Sequence, residues 1–143
     1  MSTTVYIWNR GQSVGHCALE IKKGWGRHAY ISFWPGDDSP TKKTAHILAG
    51  RPSTMPRSYQ EECGEVFCHR RADHKINLCL PHESTADLRK LKAEYEKEKY
   101  NLALNNCCDI ACKCLSILAG EQVFALTPNG LLKEVKKLEE KFR

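Results

Sequence analysis

Along the first third of the chain, β-branched and aromatic residues come in short runs separated by turn formers, the pattern of antiparallel strands. The first run is Thr3 to Trp8 (TTVYIW), ended by the turn-forming Asn9-Arg10-Gly11-Gln12-Ser13. Val14 to Ile21 alternates, setting Cys17, Leu19 and Ile21 on one face and His16, Ala18 and Glu20 on the other. This places His16 in mid-strand. A connection with two glycines, Lys22 to Gly26, leads to a third run, His28 to Trp34, which Pro35-Gly36-Asp37-Asp38 stops. Together these runs predict an antiparallel meander.

The pattern then lapses. Residues 36–62 are rich in Pro, Ser, Thr and Lys and read as a long surface excursion, more often functional or mobile than structural. Lys75 to Leu80 (KINLCL) predicts a further strand, and Ser84-Thr85-Ala86-Asp87 has the form of a capping box opening a helix to about Lys99. After Asn105-Asn106 the apolar period becomes helical, with Ile110, Ala111, Cys114, Leu115 and Leu118 in step and Gly120 as C-cap. Val123 to Leu126 reads as extended. Thr127-Pro128 caps a last amphipathic helix carrying Leu131, Val135, Leu138 and Phe142. Strands first and helices after predict an α+β fold. The expected organisation is one domain over 1–143, with a long loop or insertion at about 36–82.

Composition narrows this little. The 143 residues are 41% hydrophobic and 27% charged, ordinary for a globular chain with a core of its own. No run approaches the ~18 apolar residues of a membrane span. The start, MSTTVYIWNRGQSVGH, has no basic n-region or apolar h-region, so a cytoplasmic setting is expected. Four of the eight cysteines fall in one predicted helix, a poor arrangement for mutual disulfides, which favours reduced thiols. The net charge of +5 is spread over mixed-sign helix faces, which argues against nucleic acid as a partner.

Candidate chemistry centres on Tyr100 to Leu118 (YNLALNNCCDIACKCLSIL). Cys107 falls at the predicted helix start, where free N–H groups and the dipole favour a thiolate. A strand histidine beside it, His16, would act as base, and either His28 or Ser32 would orient that base. Asn106 or the Cys107 backbone N–H would polarise an oxyanion.

The order of His16, then His28 twelve residues later, then Asn106-Cys107 at a late helix start resembles the circularly permuted NlpC-type, papain-like thiol enzymes. That group includes the lecithin:retinol acyltransferase-like proteins. The resemblance implies a permuted papain-like fold with the sheet packed on the Cys107 helix. It also implies Cys107 as nucleophile, His16 as base and His28 as orienting residue, with no cofactor required. It covers residues 16–28 and 100–118 well and Thr127-Pro128 onward loosely, and it does not cover residues 36–82. Cys108 stands where the family has various small residues, so it is the competing nucleophile. The C-terminal membrane helix of the lipid-acting members has no counterpart. Tyr30 to Pro35 resembles effector-like members, implying an effector delivered without an encoded signal.

The expected function is thus a cysteine hydrolase or acyltransferase of amidase or peptidase type, forming a thioester. Its substrate is a peptide, isopeptide, glutamine amide or lipid ester. The competing reading is a non-catalytic protein-binding module with a structural zinc at Cys63, Cys68, Cys79 and His82. Redox sensing by Cys107-Cys108 ranks third, because vicinal disulfides are strained.

Overall fold

The computed structural model describes residues 2–9, 15–23, 27–32, 34–35, 51–54, 56–64, 68, 70–82, 85–97, 99–100 and 107–143. Its elements in chain order are β1 (Ser2–Trp8), β2 (His16–Lys23), β3 (Arg27–Ile31), β4 (Trp34–Pro35), β5 (Arg51–Thr54) and α1 (Tyr59–Glu62). There follow β6 (His74–Leu78), α2 (Thr85–Lys97), β7 (Lys99–Tyr100), α3 (Cys107–Ala119) and α4 (Pro128–Lys141). Strands β3-β2-β1-β6 form a four-stranded sheet, antiparallel throughout. With four helices among the described residues, the fold is α+β.

The period-2 pattern of β1 and β2 decides which layer each side chain joins. Val5, Ile7, Cys17, Leu19 and Ile21 share a core with Leu88 of α2, with Ile110, Ala111, Cys114, Leu115 and Leu118 of α3, and with Leu131, Val135 and Leu138 of α4. The opposite face is also covered. There Tyr6, Trp8, Ala18 and Tyr30 form a second buried cluster under Tyr59, Cys63, Cys68 and Ala72. Two expectations change as a result. His16 is the first residue of β2, not a mid-strand one. The expected surface excursion carries β5 and α1 at its end, and its Glu62 is wholly buried. The piece at Val123, expected to be extended, lies outside the sheets; Val123 is buried and donates its N–H to Ser116 Oγ at 2.9 Å.

The helix ends follow local chemistry. Thr127 accepts the Gly130 N–H and Pro128 opens α4. Gly120 ends α3 at φ +71°, where its N–H meets the Ser116 carbonyl and a Cβ would run into the His82 ring. Gly120→Ala is therefore expected to destabilise by roughly 1–2 kcal/mol from the left-handed backbone alone, read as a lower thermal midpoint. No helix among the described residues is long and apolar enough to cross a membrane.

Candidate active site

The site forms where the start of β2 meets the start of α3. Cys107 and Cys108 open α3 because the polar stretch before them gives way to a helical apolar period, and both are buried. Cys107 is thus in the first turn, whose backbone N–H groups have no partners within the helix. Consecutive residues of β2 serve the site from the strand side. Cys17 faces the core, its Sγ 3.7 Å from that of Cys108, and His16 lies beside Cys107, near enough that each shifts the other's pKa. His16 is 3% exposed, with its ring against Trp8 at a centroid distance of 5.4 Å.

Behind His16 stands a residue that sequence reasoning missed. Glu62, the last residue of α1, is fully buried and gathers three donors. Tyr30 Oη donates to Oε1 at 2.8 Å, Ser32 Oγ donates to Oε2 at 2.8 Å, and His16 Nε2 lies 3.3 Å from Oε1. Ser32 Oγ is also 2.7 Å from His16 Nε2. Because the Ser32 hydroxyl proton is committed to Glu62, Ser32 can only accept from His16. We therefore assign the Nε2–H tautomer, which leaves Nδ1 as the basic nitrogen for the thiol.

A four-residue helix holds this carboxylate only because it is anchored on all sides. Ser58 Oγ caps it by accepting the Glu61 N–H at 3.2 Å. Tyr59 stacks on Tyr6 at 4.0 Å and its hydroxyl accepts the Ala72 N–H. The Glu62 carbonyl accepts the Cys68 N–H at 2.9 Å. The legible signal was the Ser58-x-x-Glu61 spacing of a capping box, which marks a helix start but says nothing of what is buried.

Of the other expected site residues, Ser32 joins His16 and His28 does not. In the β2–β3 register His28 pairs with Lys22, six residues along β2 from His16, or about 20 Å at strand spacing. Asn106 lies outside the described residues. The expected zinc ligands are not gathered. Cys63 and Cys68 pack against the aromatic cluster, and Cys79 is exposed at the end of β6. His82 sits over Gly120 with its backbone N–H on the Leu118 carbonyl. Among the described residues, Cys17, Cys107 and Cys108 instead form the group able to hold a metal ion.

The electrostatics follow from the contacts. Burial alone would push the His16 pKa down, but the Glu62 carboxylate and the Cys107 sulfur overcome it, lifting it from 6.5 to about 10. Cys107 moves the other way. Hydrogen bonds from Cys108 and Cys17, then the charge and hydrogen bond of His16, pull it well below 9.0 despite burial. Cys17 and Cys108 are both pushed up, chiefly because they donate to the Cys107 sulfur. Burial also raises Cys112, to about 11.

These shifts predict a stability plateau. The His16 contribution is complete below 6.5 and is lost as pH rises through about 10. The Cys107 contribution is complete above 9.0 and is lost as pH falls through its depressed value. Where the pH is above both 6.5 and the depressed Cys107 value and still below 9.0, the two slopes cancel, since folded and unfolded pairs each hold one proton. Melting midpoints of the wild type minus those of a His16→Gln/Cys107→Ser variant should be level there and fall on both sides.

No family model, no curated protein and no solved structure matches the chain.

Proposed function

We propose that this chain is a cysteine-dependent hydrolase or acyltransferase of amidase or peptidase type, with a permuted papain-like architecture and a thioester intermediate. One observation carries the reading: at the start of α3 the buried His16 is held by Ser32 and Glu62 and lies beside Cys107, each shifting the other's pKa. Nucleophile, base and orienting carboxylate stand in contact, and the thiol with the lowered pKa is the one the imidazole touches. Glu62, with Ser32 between its Oε2 and the imidazole, takes the orienting role expected of His28. Cys108, pushed up by its donation to Cys107, is the poorer nucleophile of the pair.

In this mechanism the Cys107 thiolate attacks an amide or ester carbonyl, and the Cys107 backbone N–H supports the oxyanion. As the tetrahedral adduct collapses, His16 gives its Nδ1 proton to the leaving amine or alkoxide, leaving an acyl-thioester. His16 then removes a proton from water or an acceptor alcohol or amine, which attacks the thioester and returns the thiolate. Glu62 holds the imidazolium in register. A non-catalytic module has no use for this arrangement, because burying an ionic chain costs more stability than an apolar core of the same shape.

The test is intact-protein mass spectrometry after acid quench, with activated peptide amides, isopeptides, glutamine amides and lipid esters. The wild type should gain an acyl mass that hydroxylamine removes, and Cys107→Ala should gain none. An adduct that persists in Cys107→Ala, or no adduct with any of the four classes, counts against the reading.

A further inference from the structure

The acyl-transfer chemistry uses one sulfur, yet the structure gathers three. Cys17, Cys107 and Cys108 are 1%, 5% and 2% exposed, and their sulfurs all lie within 4.8 Å of one another. The convergence follows from the fold. Cys107 and Cys108 are successive residues in the first turn of α3, pointing about 100° apart, and Cys17 on β2 lies where both can reach it. We propose that Cys17, Cys107 and Cys108 form a three-thiolate site for a soft, three-coordinate metal ion, with copper(I) as the cation of matching chemistry.

The dimensions fit. A metal–thiolate bond of about 2.3 Å puts three trigonal sulfurs about 4 Å apart. Cys17 and Cys108 are already at 3.7 Å, so ligation needs only sub-ångström movement. The donor set selects the metal class, since an all-sulfur site in a dry pocket favours copper(I) over hard cations. Zinc is the poorer fit because it wants a fourth ligand. Among the described residues the ligand atoms that all lie within 4.8 Å of one another are the three sulfurs, and the Nε2 of the neighbouring His16 is held by Ser32 and Glu62. Ligation displaces the two remaining thiol protons to solvent. The cation, the helix N-terminus and His16 together offset the thiolate charge. The site shares the Cys107 sulfur with the proposed acyl-transfer centre but does not depend on that activity. Where both hold, a bound ion silences the nucleophile.

The test is anaerobic titration of the reduced full chain with copper(I) against the chromophoric chelator bathocuproine disulfonate. One ion per chain is expected, weakened roughly a hundredfold or more in Cys17→Ser and in Cys108→Ser. Cys79→Ser, which alters an exposed thiol elsewhere, should bind like the wild type. Should the core variants misfold, copper K-edge absorption of the loaded wild type reads the ligands directly, with three sulfurs at about 2.3 Å expected. Equal affinity in wild type and Cys17→Ser, fewer than three sulfur neighbours, or a nitrogen ligand would overturn the assignment. Because copper binding is read without substrate, its failure is separable from failure of the acyl-transfer reading.

Discussion

Glu62→Ala is expected to unfold the site, with a loss of about 3–5 kcal/mol and a fall in melting midpoint on the order of 10 °C. The size follows from what the carboxylate satisfies. Removing it leaves the Tyr30 and Ser32 hydroxyls without the acceptor they share and the His16 imidazolium without its counter-charge, all on buried side chains. Glu62→Gln keeps the volume but turns an NH2 group towards one of those donors. It should fold with a smaller loss and slow Cys107 alkylation, because the imidazolium loses its counter-charge. Thermal melts of the three proteins separate the two effects. A Glu62→Ala protein as stable as wild type would mean that the carboxylate is not buried as described.

The second large effect belongs to His16. The Cys108 and Cys17 hydrogen bonds and then the imidazolium lower the Cys107 pKa against burial; without His16 its share is lost and the two thiol donors remain. A thiol with an ordinary pKa of about 8.5 is well under one per cent ionised at pH 6, although a higher pKa makes each thiolate more nucleophilic. A full return to that value would slow Cys107 alkylation at pH 6 on the order of a hundredfold; because the Cys108 and Cys17 hydrogen bonds remain, His16→Ala is expected to slow it on the order of tenfold. Ser32→Ala keeps the imidazole and its carboxylate and should cost much less. If His16→Ala and wild type alkylate at one rate, the imidazole does not set the charge of the thiol.

What could be read from the sequence was local. Alternation in β2 divided Cys17 from His16 correctly, and the change from a polar stretch to a 3.6-residue period marked Cys107 as the first residue of α3. His28 failed on register. Residues equidistant from the connection at 24–26 pair, so Lys22 meets His28, while the level of His16 lies beyond the end of β3. That is why Ser32, just past Ile31, is the neighbour of His16. The same arithmetic was open to the sequence. Glu62 was not. A glutamate in a stretch rich in Ser and Pro carries every sign of solvation, and its burial depends on Tyr30, Ser32 and His16, each at least thirty residues away. The supposed zinc ligands failed for a related reason, since ligand spacing in sequence says nothing about the layer that each residue joins. Cys63 and Cys68 cover the aromatic face, and His82 helps to end α3.

The most direct test is the pH profile of iodoacetamide labelling at each of the eight cysteines of the native wild type, read by peptide mass spectrometry. Cys107 should label fastest of the eight at pH 6 and show its midpoint well below 9.0, with Cys17, Cys108, Cys112 and Cys114 unlabelled there. If Cys107 instead labels no faster than the exposed Cys79 and titrates with it, it is no thiolate, and the acyl-transfer account is contradicted.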